Sequence, residues 1–485
     1  MSERDDEEMM KELRTMKRFV MWAVVVIALF AGMLKACGQP DVFSPGAARP
    51  ANVKIVSGSG SGVLSAAKTT ATSGQTIVVG PGLYADNDLL KDGVNWFFYP
   101  GAVVSNASPQ GASGTRGIWE DKNQAVTSTI GGYGSFFYES LMDELSPGTL
   151  VVSNSASNIS ITCKEIGYEH YYTNTVQNAG TRAAVCVMNA KRITIKADRI
   201  FNKKNTTFDT GVLDEFDQEI LASCDGNGIY WQLGDTYVTC PIIESNTTYS
   251  AWSDQPSGNT TAANFYLTCD LVDGHIYASG HNGTSAWKNW YICKDVRDGF
   301  SLFGPGKNYI FAEKILASAF HCLDCNGPTE VWVNCQKFTS SVGRWIVMVN
   351  NGGAPTVHAN VLQYEDNGAI SSANAGIEVS AGELHVDGGY LVATNGVVIK
   401  HSGGSTRVSN ATIKSTGNNA ANHAVVTAGA GLILDRCTII APALADSVNA
   451  SSAQTITAYN PKANKAKNAN VTVNVDAITA DANVQ

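Results

Sequence analysis

The chain has 485 residues, a formal net charge of -9 and only 16% charged residues, against 46 glycines. That profile, rich in Gly, Asn, Ser and Thr, is that of a β-rich secreted or viral protein, and a chain this long suits a unit that grows in one direction as well as several globular domains. The acidic balance excludes a phosphate-backbone binder, whose cations must cluster; the one late cluster is Lys462, Lys465 and Lys467.

Residues 1–18 are a charged, helix-compatible segment. Sixteen uncharged residues follow from Phe19 to Leu34, including Phe19, Trp22, Val25, Ile27, Leu29, Phe30 and Leu34. As a helix this run extends about 24 Å, short of the roughly 30 Å hydrocarbon layer, so it spans only with snorkelling by Lys17, Arg18 and Lys35. The basic residues before it favour the amino end inside and the remainder outside. Residues 19–36 are therefore expected to anchor the chain in a membrane. A start at Met16 gives the alternative of a bacterial lipoprotein signal with Cys37 as the lipidated residue, although Lys35 fits such a box poorly. Residues 37–74, rich in Pro, Gly and Ser, are expected to form an extended stalk.

Beyond the stalk one template recurs: an apolar residue, a second two places on, and a third seven places on. It is met by Ile159, Ile161 and Ile166; by Ile193, Ile195 and Ile200; by Phe265, Leu267 and Val272; and by Tyr309, Phe311 and Leu316. Val331, Val333 and Phe338; Val357, Ala359 and Tyr364; Leu384, Val386 and Leu391; Thr406, Val408 and Ile413; and Leu432, Leu434 and Ile439 complete the series. From Tyr309 the copies stand 22, 26, 27, 22 and 26 residues apart. Alternation with period two means a strand with one buried face, and a unit this short buries that face only by coiling and stacking on its neighbours. The expected fold is all-β, a right-handed parallel β-helix over residues 75–441, with residues 442–485 as a carboxy-terminal cap or oligomerisation tail.

Of the eleven cysteines, Cys163, Cys269 and Cys335 fall four places after the first apolar position. They are expected as a column of buried thiols. Cys322-x-x-Cys325 beside His321, with Cys335 beyond, has the outline of a zinc site, but no second Cys-x-x-Cys follows at finger spacing; no metal or other cofactor is expected.

At the front of the repeats stand Gly80-Pro81-Gly82-x-Tyr84 and Tyr99-Pro100-Gly101-Ala102, followed by Thr129-Ile130-Gly131-Gly132-Tyr133-Gly134. These residues resemble the opening coils of the pectin-lyase-like β-helix superfamily, particularly the forms found in bacteriophage tailspikes and fibres. The tail, with Ser451-Ser452-Ala453-Gln454 and Tyr459, resembles the ends of phage fibre proteins. The resemblance implies a trimer that meets host surface glycans. The hydrophobic segment departs from ordinary tailspikes, which attach through a protein socket, and suits a virus with an internal membrane or a bacterial surface protein.

Glycoside hydrolysis needs two carboxylates a few ångströms apart. The Asn-Thr-Asp, Asp-Asp and His-Gly signatures of the polygalacturonase-like branch are missing from the repeats, as is the Arg-x-x-Pro-x-x-Arg of the pectate-lyase branch. No catalysis is therefore expected. Were carboxylates assembled across coils, Asp270, Asp273, Asp295 and Asp298 would be the candidates, with His275 and His281 nearby, although Asp273-Gly274 and Asp298-Gly299 are ordinary turn formers. Trp231, Tyr237, Trp252, Trp287, Trp290 and Tyr291 form a dense aromatic group. They either offer flat rings to sugars or pack beneath long loops. The expected function is a spike or fibre on a virion or cell surface that binds a host glycan or receptor, with other virion or envelope proteins as neighbours. A polysaccharide depolymerase and a bacterial adhesin or lipoprotein are the alternatives.

Overall fold

The structure is a computed structural model. It describes residues 52–484 apart from 57, 107–116, 142–147, 172–182, 205–226, 256–262, 281–286, 318–320, 341–345, 351–353, 367–374, 395 and 418–420. The expected anchor, Phe19 to Leu34, and Cys37 lie outside the described residues, and among those described no helix is long and apolar enough to cross a membrane.

The unit from Asn52 to Gln485 is a parallel β-solenoid. Each full coil contributes to three sheets, and every strand pair within them is parallel. Sheet 1 runs through Gly148–Val152, Ala183–Val187 and Asn227–Trp231 onward. Sheet 2 takes the first half of strands such as Asn158–Tyr171 and Arg192–Lys204, and sheet 3 takes their second half after a bend. Alternating side chains place one face of each sheet inward, and stacking aligns them into columns. In sheet 2 the inward column passes without a break from Ile77 through Trp96, Ile130, Ile161 and Ile195 to Leu434 and Ala458. All seven of these residues are buried.

Eight of the nine template copies point inward as the alternation requires. The exception is the coil of Tyr309, Phe311 and Leu316, which is displaced by one residue: Asn308, Ile310 and Ile315 face the core instead. A slip of one position exchanges the two faces of a strand, so Tyr309 and Phe311 point out. Between Ile159 and Ile439 two coils absent from the template series, those of Thr236, Val238 and Ile243 and of Asn289, Tyr291 and Val296, lie in the same columns. Their first inward residue is polar, which hid them. Asn289 Nδ2 donates to Asn308 Oδ1 at 2.9 Å, and Asn308 Nδ2 donates to Thr329 Oγ1 at 3.0 Å, so these buried amides are satisfied along the axis by the next coil.

The solenoid also exceeds its expected limits at both ends. Val53–Val56, within the expected stalk, pairs with Thr76–Val79. Helix α1, Val63–Thr70, follows, and its buried Leu64 and Ala67 join the core at the first coil. The Asp86 carboxylate accepts hydrogen bonds from the Leu64 and Ser65 backbone N–H groups at 3.0 and 3.1 Å, satisfying two donors that the helix start leaves free. At the other end Gln454–Tyr459 continues sheet 2 and pairs with Val471–Val475. The carboxy-terminal residues expected as a cap thus add coils, because Ile456, Ala458 and Ala463 keep the inward period.

The expected thiols are buried at the bend between sheets 2 and 3. Cys240, Cys269 and Cys293 are successive rungs of this column, joined through Ala312 to Cys335. Cys240 and Cys269 each donate to the carbonyl two residues on at 3.0 Å, and Cys335 does so at 3.4 Å. The sulfur fills a narrow corner and covers a carbonyl that the bend removes from the ladder. All nine cysteines among the described residues are buried.

Candidate functional site

The residue after the first inward position of each sheet 2 strand points to solvent. From coil to coil this outward column reads Tyr237, Tyr266, Trp290, Tyr309, Trp332, His358 and His385. The seven rings form one stack, with centroids 4.6, 4.2, 5.4, 4.9, 5.6 and 4.9 Å apart in that order and planes within 4 to 17° of parallel. The strand spacing of about 4.8 Å supplies this separation, so identical register is enough to build the stack. The Arg192 guanidinium lies 4.7 Å from the Tyr237 centroid at one end, and Arg407 follows His385 at the other. Ring faces are therefore covered by neighbours. The column offers solvent its edges, with phenol, indole and imidazole hydrogen-bonding groups, rather than flat platforms.

Two residues further along each strand a second outward column runs beside the first. It contains Ile292, Phe311, Asn334, Asn360 and Asp387. Phe311 is 46% exposed and Ile292 41% exposed. Between the columns lies a groove of about 400 Å³, with Tyr309, Trp332, His358 and His385 on one side and Phe311, Asn334, Asn360 and Asp387 on the other. Val333 and Ala359 form part of its floor. Lys307 Nζ sits 5.4 Å from the Trp332 centroid while pairing with Glu330 at 3.0 Å. Burial, and then the neighbouring His385, lower the basicity of His358, whereas Glu330 and Glu383 oppose that shift.

Of the six aromatic residues expected to meet a glycan, only Tyr237 and Trp290 belong to this column. Trp231 is 2% exposed and stacks inside the core on Phe265 at 3.9 Å. Tyr291 occupies an inward position with no exposure, and Trp287 is buried. Trp252 is half-buried on the outer face of sheet 1, between Tyr230 and Tyr277, each at 6.0 Å. The burial of Trp231, Trp287 and Tyr291 follows from their place in the inward alternation and withdraws them from surface contacts. Tyr266, Tyr309, Trp332, His358 and His385 were missed, although all seven rings share one place in the repeat, directly after its first inward residue.

The four candidate carboxylates do not converge. Asp270 pairs with Lys294 at 2.6 Å at the bend, and Asp273 with Arg297 at 3.1 Å on sheet 3. Asp295 is exposed on the same sheet. Asp298 holds a turn at φ 75°, and its carbonyl accepts a hydrogen bond from His275 Nδ1 at 2.6 Å. Burial holds the His275 imidazole down to about 4, which keeps it neutral. His281 lies outside the described residues. The sulfurs of the Cys322-x-x-Cys325 segment are also separated: Cys322 donates to the Ile315 and Thr339 carbonyls at 3.4 and 3.3 Å, Cys325 is buried in a sheet 1 strand, and Cys335 belongs to the bend column. Among the described residues no group of three His, Cys, Asp or Glu side chains could hold a metal ion.

One other acidic pair stands out on the outer face of sheet 1. Asp324, Met348 and Glu378 are successive rungs. Asp324 is 8% exposed and its Oδ1 has no hydrogen-bond partner among the described residues; burial pushes its carboxyl up to about 7. Glu378 Oε1 pairs with Lys400 at 3.0 Å, and its Oε2 is likewise without a partner.

Compared with protein-family models, with curated proteins and with solved structures, the chain finds no match in any of the three.

Proposed function

We propose that this chain is a surface attachment protein whose solenoid presents a saccharide-binding groove on the outer face of sheet 2. The observation that carries this reading is the groove itself, an open channel of about 400 Å³ along the axis, walled by ring edges on one side and by Phe311, Asn334, Asn360 and Asp387 on the other. Sugars need just this mixture of apolar surface and convergent donors and acceptors. The exposed Phe311 ring supplies the flat contact that the stacked column lacks. On this reading the segment from Phe19 to Leu34 holds the protein at a virion or bacterial surface with its amino end inside. A homotrimer, as in the spikes and fibres the sequence resembles, would display several grooves together. The test is titration of purified full-length protein with a saccharide panel, followed by Trp fluorescence and calorimetry. Binding weakened about tenfold or more by Phe311→Ala is expected, in the range for loss of an aromatic anchor; a panel without a single binder sinks the reading.

A second reading, a polysaccharide hydrolase, is favoured by Asp324 and Glu378. Two strand spacings separate them, roughly 9 to 10 Å, near the span of an inverting acid and base pair. A carboxyl that stays protonated near neutrality is what a general acid requires. Reducing ends released from polysaccharide by the wild type and not by Asp324→Asn would establish it.

A further inference from the structure

The groove holds more chemistry than a sugar site needs. Two of its wall residues, His358 and His385, are adjacent rungs with ring centroids 4.9 Å apart and planes 12° from parallel. A neutral imidazole carries one donor and one acceptor on its edge, as a sugar hydroxyl does, and the amides of Asn334 and Asn360 across the groove do the same. An imidazolium offers donors only, and two of them stacked at this distance repel each other.

The charges facing the pair come from every strand around it. Lys307 is held by Glu330 at 3.0 Å, and Arg407 by Asp435 at 3.0 Å, so both cations are already matched. Glu383 lies 3.5 Å from His385 Nε2. Among the described residues the Asp387 Oδ1 accepts only from the neutral amide of Asn410, at 2.9 Å, and it faces the groove. Tyr309 completes the titratable groups on this wall. A carboxylated or sulfated chain would therefore meet the Asp387 carboxylate at the histidine end, with Glu383 beside His385, and no free cation among these groups to receive it.

We infer that the groove takes an uncharged saccharide chain, laid along the solenoid axis, and releases it on acidification through the His358 and His385 pair. This rests on the saccharide-groove reading above. Seating the chain removes water from both imidazoles and so favours their neutral forms. Ligand and protons then compete. Affinity is fully present above the titration of the pair and falls as pH drops through it, by up to about tenfold per pH unit for one proton.

The test uses full-length protein, with maltoheptaose, cellohexaose, mannohexaose and chitohexaose as uncharged probes. Hexagalacturonate and a hyaluronan hexasaccharide serve as acidic probes. Each is titrated by calorimetry at pH 7.5 and pH 5.0, with the Trp332 indole and both imidazole resonances followed by NMR. The expected result is binding of an uncharged probe that weakens at least about fivefold at pH 5.0, with that ratio collapsing towards one in the double variant His358→Gln and His385→Gln. Equal or tighter binding of an acidic probe, an unchanged affinity at pH 5.0, or a ratio retained by the double variant would overturn the inference while leaving the groove a saccharide site. No probe of either charge moving the Trp332 resonance would overturn both.

Discussion

Tyr309 stacks on Trp332 with ring centroids 4.9 Å apart and planes 9° from parallel, and this contact exists only because Ile310, not Tyr309, enters the core. The register of that coil can be tested by paired substitutions. Ile310→Ala should cost about 2 to 5 kcal/mol, as for a large buried aliphatic side chain, whereas Phe311→Ala should stay within about 0.5 kcal/mol. Chemical denaturation of the two variants decides between the registers, since the reverse order would restore Tyr309 and Phe311 to the interior.

This coil also shows where the sequence was legible. Coils whose inward residues are all apolar, such as Ile193, Ile195 and Ile200, announce their register by alternation alone. In the coil of Asn308 both faces carry large apolar groups, and the inward amide counts as polar, so period two points to the wrong face. The aromatic column was hidden for a related reason. Its members are spread from Tyr237 to His385, one per coil, and only the aligned register brings them together. Composition drew the eye instead to the dense region between Tyr230 and Tyr291, where several rings serve the core.

Removing one amide from the buried chain of Asn289, Asn308 and Thr329 should be felt by its partners. Asn308→Ala leaves Asn289 Nδ2 without an acceptor and is expected to cost about 1 to 3 kcal/mol in urea denaturation. Asn334→Ala, at an exposed outward position of the next coil, should be nearly silent in the same assay.

The cysteines should resist thiol reagents. Burial holds Cys240, Cys269 and Cys335 up to about 12 and Cys437 up to about 11. In a variant with Cys37→Ser and Cys224→Ser, the two positions outside the described residues, native protein at pH 8 should show no reaction with a colorimetric disulfide reagent. In denaturant all nine remaining thiols should react. Rapid modification of the native variant would place at least one sulfur at the surface.

Asp324 makes stability depend on pH in the direction opposite to a salt-bridged carboxylate. Its folded value, up to about 7, exceeds the ordinary aspartate value of 3.8, so the folded state binds more protons between those limits. Stability contributed by the neutral form is present below about 4 and falls as pH rises to about 7, by an amount on the order of 4 kcal/mol at most. Asp324→Asn should therefore be more stable than the wild type at pH 8 and lose that advantage at pH 4. Parallel thermal melts of both proteins across this range would show it, and identical profiles would mean that the carboxyl is solvated.

The division at Asn52 predicts that residues 52–485 fold without what precedes them. That fragment should give a cooperative melt and a strand-rich far-UV spectrum; an unfolded fragment would assign part of residues 1–51 to the core.

The amide run from Asn289 to Thr329 has a further consequence for how a repetitive rod finds its alignment. Most rungs offer the incoming strand another aliphatic side chain, and pairing with the wrong rung would lose little. At Asn308 a mispaired neighbour would strand an amide in hydrocarbon, so this short polar stretch works as a key cut into the shaft. Deleting the coil that carries Asn308 should therefore be punished more than deleting one whose inward residues are aliphatic, such as that of Leu384, Val386 and Leu391.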